Sequence, residues 1–118
     1  MTRCVSKQDG EALESTIQAQ IVQALKAQDF IVWEMFKGSA RGGQVWATKG
    51  IPDLYVFRSG RAVWLEVKRP RTGKLSPAQR ERHHELTICG LPVHVVTSPE
   101  EALAVLGIRV VGLLKGHR

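Results

Sequence analysis

Three charged side chains fall within an otherwise apolar stretch of this 118-residue chain. They are Asp53 in G-I-P-D-L-Y-V-F, and Glu66 and Lys68 in A-V-W-L-E-V-K-R-P. Both segments read as β-strands, because they are rich in β-branched and aromatic residues and are separated by the turn signal Ser59-Gly60. Pro52 can open a strand but not sit inside one, since it has no N–H to give the ladder. With Ser59-Gly60 as a two-residue loop, Arg58 faces Arg61, Val56 faces Val63, Leu54 faces Leu65 and Asp53 faces Glu66. Directly opposed residues have Cβ atoms roughly 5 Å apart, and opposed like charges destabilise a sheet. Lys68 shares the face of Glu66, because side chains alternate along a strand. A divalent cation would offset the repulsion. Mg²⁺ is typically held by one or two carboxylates and keeps waters that a substrate phosphate can displace. A neighbouring lysine could then orient or deprotonate a water and stabilise charge on a phosphoryl group. The competing reading places Asp53 in the preceding turn and makes Glu66 and Lys68 a solvated stripe.

The elements that must position these groups follow from periodicity. Leu13, Ile17, Ile21 and Leu25 recur every four residues with Ala24 beside them, which predicts a helix capped by Asp9 or Ser6 and running to about Gln28. Glu14 and Gln18 project from the edge of that stripe. Phe30 to Phe36 reads as the first strand, and residues 37–49 form a glycine-bearing loop carrying Lys37, Arg41 and Lys49. Long loops in a small domain are usually functional or disordered. The basic side chains there could meet a phosphate backbone, and Trp46 either stacks on a base or packs against the domain. Both faces of the hairpin carry bulky groups, so its strands are expected to be central and covered. Arg69, Arg71 and Lys74 form a basic turn leaving the site, suited to holding flanking phosphates or simply solvated.

Ser76, Pro77 and Gln79 make a capping box at the start of the next helix. His83 and His84 are neighbours that point apart, so they cannot share an ion; at most one reaches the cleft, and surface positions are the expectation. Gly90 ends that helix, 92–97 is a short strand, and Ser98-Pro99-Glu100-Glu101 starts a last helix with a second capping box, stopped by Gly107. The apolar run from Ile108 to Leu114 suits either an edge strand or a dimer surface. The resulting order is α-β-β-β-α-β-α, an α/β domain with a mixed sheet of about four strands flanked by helices.

Net charge is +6 with a pI near 9.8, and basic residues crowd 58–82, a balance suited to a polyanion and to nucleic acid first. Two cysteines, Cys4 and Cys89, are too few for a disulfide framework and lack metal-ligand spacing. No apolar run reaches the roughly 18 residues of a membrane span, and no signal-peptide core opens the chain. A soluble intracellular protein is the expectation.

P-D at 52–53 followed by E-V-K at 66–68 resembles the active-site signature of the PD-(D/E)XK nuclease superfamily. The wider pattern resembles its VRR-Nuc branch over roughly residues 11–106: Glu14 on a first helix, G-I-P-D, L-E-V-K-R-P, then G-K-L-S-P-A-Q entering a helix. The resemblance implies a single restriction-endonuclease-like domain, with the carboxylates where the central strands diverge. It implies a metal-dependent endodeoxyribonuclease using Mg²⁺, with Mn²⁺ able to substitute. Asp53, Glu66 and the carbonyl of Val67 would bind the metal. Lys68 would position or activate the attacking water, and Glu14 would contribute directly or through a water. Gln79 would face the site, in competition with its capping role. Small stand-alone members of that family act as homodimers on branched DNA such as four-way junctions or flaps. The alternative is a non-catalytic nucleic-acid-binding module with the same fold.

Overall fold

The computed structural model describes residues 11–36 and 47–108. Ser6, Asp9, Lys37, Arg41, Trp46 and the run after Ile108, all singled out above, lie outside the described residues. The elements are α1 (Glu14–Ala27), β1 (Ile31–Glu34), β2 (Leu54–Arg58), β3 (Arg61–Val67), α2 (Pro77–Ile88), β4 (Val93–Val96) and α3 (Pro99–Val105), in the expected order.

Helix α1 starts later than the periodicity suggested. Leu13 is its N-cap, without a side-chain cap, and is 61% exposed, so the buried stripe is Ile17, Ile21, Val22 and Leu25. Glu11, two residues before that cap, is held in ion pairs with Arg69 and Arg71. The other end closes through Asp29 in the left-handed region (φ 67°), with Phe30 N–H donating to Leu25 O at 3.1 Å.

The sheet order is β1-β2-β3-β4, antiparallel except for the β3/β4 pair, whose parallel crossover is α2. Ser59 (φ 51°) and Gly60 (φ 79°) both take positive φ, as a two-residue type I′ hairpin turn requires. The turn fixes the register Arg58↔Arg61, Val56↔Val63 and Leu54↔Leu65. A one-residue slip would move every apolar side chain to the other face.

Alternation then gives the sheet two unlike faces. Leu54, Val56, Val63, Leu65 and Val67 join α1 and the Ala102–Leu103–Leu106 end of α3 in one buried core. Truncating a side chain such as Leu65, which is fully buried, costs about 2–5 kcal/mol. The other face carries Glu66 beneath α2 and, beside it, a row of touching aromatic rings: Trp33, Tyr55, Phe57 and Trp64. This face is not covered as expected. Trp33 is 56% exposed, and no residue of α2 is fully buried. Helix α2 is therefore seated largely by polar contacts. At α3, Ser98 Oγ accepts from Glu101 N–H, but the Glu101 carboxylate takes the N–H of Thr97, so the expected capping box does not close on Ser98. Among the described residues no helix is long and apolar enough to cross a membrane.

Candidate active site

Strand β2 begins at Leu54, whereas β3 continues past its partner Leu65 through Glu66 and Val67. The two central strands part at that point. Asp53 sits one residue before β2, and its carboxylate replaces the missing ladder: Oδ2 accepts from the Val67 N–H at 2.7 Å. Its own carbonyl accepts from Met35 N–H at 2.9 Å. Asp53 is thus not paired through its backbone with Glu66, as the extended register implied, but bridges β1 and β3 at the mouth of the gap.

Glu66 is 1% exposed and Lys68 9% exposed, the two buried charged residues among the described ones. Burying a charge is costly unless it is paired and hydrogen-bonded. Both are served by Gln79, at the third position of α2. Its Oε1 accepts from Lys68 Nζ at 3.0 Å, and its Nε2 donates to Glu66 Oε2 at 3.0 Å. The capping box fixes which way the amide faces. Ser76 N–H donates to the same Oε1 at 2.8 Å, which requires the oxygen there and turns the NH₂ group toward Glu66. Capping and site work, set against each other by the sequence, are done by one side chain in one state. The other Glu66 oxygen, Oε1, lies 2.9 Å from His83 Nε2. His83 was expected at the surface. It instead lies one turn after Gln79 on the same helix face, and that i, i+4 spacing is the signal which could have found it.

Two glycines set the backbone around these groups. Gly50, with φ +80°, lies so close to the start of α2 that an added Cβ would be 2.3 Å from Ala78 O and 2.7 Å from Gln79 N. The segment carrying Asp53 is thereby pressed onto the turn carrying Gln79. Gly73 approaches the backbone of Arg69 and the Cβ of Lys68 as closely, folding the basic turn back over β3.

Glu11 locks that turn from the other side. Its carboxylate accepts from Thr72 Oγ1 at 2.7 Å and from the Arg71 N–H, and pairs with the guanidinium groups of Arg69 and Arg71, each at 3.3 Å. The Thr72 hydroxyl above all, then the Arg71 N–H and the two arginines, hold the Glu11 carboxyl below its ordinary value against the cost of desolvation. Arg69 and Arg71 are therefore structural partners of Glu11 before they are phosphate ligands. Lys49 and Lys74 are exposed.

The structure brings Asp53, Glu66, Val67, Lys68 and Gln79 together and adds His83. Glu14 opens α1, whose buried stripe packs in the core on the opposite face of the sheet. Among the described residues no group of three or more His, Cys, Asp or Glu side chains is arranged to hold a metal. The donor set still fits Mg²⁺, which is typically bound through one or two carboxylates with water and substrate oxygens completing the shell. Each carboxylate oxygen offers two lone-pair sites, so accepting an N–H and ligating a cation are compatible.

No protein-family model matches the chain, and no curated protein matches it. A solved structure described as "VRR_NUC domain" superposes on it with a TM-score of 0.61 and 25% sequence identity, covering 80% of this chain and 94% of the other.

Proposed function

We propose that this chain, a VRR-Nuc domain, is a Mg²⁺-dependent endodeoxyribonuclease that hydrolyses phosphodiester bonds in branched DNA, with Mn²⁺ able to substitute. The observation that carries the reading is the hydrogen-bonded chain His83–Glu66–Gln79–Lys68 beside Asp53, with Glu66 and Lys68 buried. A sheet under purely structural demands would place apolar residues at these positions, since a buried ion pair rarely outperforms them for stability. Charged groups held in one geometry at the end of a core are what a reacting centre needs.

Asp53, Glu66 and the Val67 carbonyl are the donors we assign to the cation, with Glu14 acting directly or through a water. When bound, Mg²⁺ supplies charge neutralisation at the phosphodiester and lowers the pKa of a ligating water. The protein's own part is positional. Gln79 holds the Lys68 ammonium at a fixed distance from the Glu66 carboxylate, so the amine orients the attacking water and meets developing charge on the phosphoryl oxygens. Net charge +6 draws the DNA backbone in, with exposed Lys49 and Lys74 as phosphate contacts, alongside Lys37 and Arg41 earlier in the sequence and the outward parts of Arg69 and Arg71.

We assign the aromatic row, in which Trp33 is exposed and Tyr55 and Phe57 are half-buried, to a second copy of the chain. Ile31, Trp33, Tyr55 and Phe57 make an apolar surface on a protein of net charge +6, and such a surface is where two like-charged copies can meet. The test of function is a cleavage panel of four-way junction, flap, nicked, single-stranded and linear duplex DNA with Mg²⁺ or Mn²⁺. The reading expects cutting of the branched substrates. Binding without cutting under every metal condition would leave a nucleic-acid-binding module in its place.

A further inference from the structure

We propose that His83 is a positioning residue for Glu66, donating from Nε2 to Oε1 and, with Gln79 on Oε2, fixing the plane of the carboxylate for cation binding. The inference rests on the assignment of Glu66 as a metal ligand.

The terminal torsion of a glutamate is broad and roughly two-fold, so one hydrogen bond leaves the carboxylate free to rotate. Two donors from one rigid helix turn remove that freedom. His83 and Gln79 are four residues apart on α2, and each reaches a different oxygen of Glu66, at 2.9 and 3.0 Å. The Gln79 amide cannot reverse without losing Ser76 N–H, and the His83 ring is 13% exposed. Glu66 itself is fixed in the backbone by pairing with Val95 of β4. A carboxylate that ligates a metal is ionised and only accepts, so the proposal puts the proton on His83 Nε2. His84, the next residue, is exposed and takes no part.

Partners that orient a metal ligand are typically worth about 10–100-fold in metal affinity or activity. The test has two arms on the full chain. Long-range ¹H–¹⁵N imidazole spectra of metal-free protein should show the His83 ring protonated at Nε2. Calorimetric titration with Mn²⁺, without DNA, should show His83→Ala binding about 10–100-fold more weakly than wild type. His83→Gln, whose amide can donate from a similar place, should recover most of the loss, and circular dichroism should be unchanged in both variants. A ring with Nε2 unprotonated, or His83→Ala binding Mn²⁺ as wild type does, overturns the positioning role alone. A wild-type protein that binds no Mn²⁺ overturns the metal assignment, and this inference with it.

Discussion

Lys68, the residue after β3, and Glu66 within it are two residues apart and are joined through the amide of Gln79, which accepts from one and donates to the other at 3.0 Å each. A capping residue of α2 thus carries the polar contact between helix and sheet. Replacing it should be felt twice. Gln79→Ala removes a partner of two buried charged groups and half of a capping box, so unfolding in urea should show a loss of about 1–3 kcal/mol. Cleavage should fall by more than that loss of folded protein explains. Gln79→Glu keeps an oxygen for Ser76 N–H but sets a carboxylate against Glu66, and should cut more slowly still.

Gly50→Ala tests whether the Asp53 segment must press on α2. The substitution adds a Cβ 2.3 Å from Ala78 O at a residue whose φ is +80°. Strain of this kind costs on the order of 1–3 kcal/mol. A lowered urea midpoint together with reduced cleavage is expected. By contrast Gly60→Ala, where nothing lies within 4 Å of the added atom, should lose only the stability of the turn and keep its activity.

Much of this arrangement was legible in the chain. The period-2 pattern on either side of Ser59-Gly60 determined the register, and alternation along the chain put Glu66 and Lys68 on the side where both meet Gln79. Local signals also located α2 at Ser76, because a cap is written in adjacent residues. What stayed hidden were contacts between distant segments. Glu11 reaches Arg71 and Thr72 some sixty residues away, and neither composition nor spacing announces that clamp. Which histidine reaches the cleft is set by Gln79, one turn back on the same face, whose side chain meets the same Glu66 carboxylate.

The Glu11 clamp carries a pH dependence. Its folded-state pKa lies below the unfolded one, so its stabilisation is present above the unfolded value, about 4.3, and is lost as pH falls through the folded value. Urea midpoints of wild type should therefore drop on acidification below about pH 4, and Glu11→Gln should show a smaller drop over that window. At neutral pH the variant should be the less stable of the two. Equal pH slopes would remove the clamp as a cause.

The aromatic row predicts a change of assembly. Trp33→Glu places a charge in the middle of the exposed face, where the ring now stands 5.2 Å from that of Phe57. Sedimentation should show the wild type as a dimer and the variant as a folded monomer. A wild type that is monomeric at high micromolar concentration would contradict the second-copy assignment and leave the site geometry untouched.

The most direct measurement is the single-turnover rate of cleavage of a labelled four-way junction by wild type, Glu66→Gln and Lys68→Ala, each with Mg²⁺ and with EDTA. The account predicts cutting by the wild type with Mg²⁺, none with EDTA although the fold persists, and a loss of at least about 100-fold in both variants while junction binding is retained. Cleavage by Lys68→Ala at the wild-type rate, or by the wild type in EDTA, would contradict it.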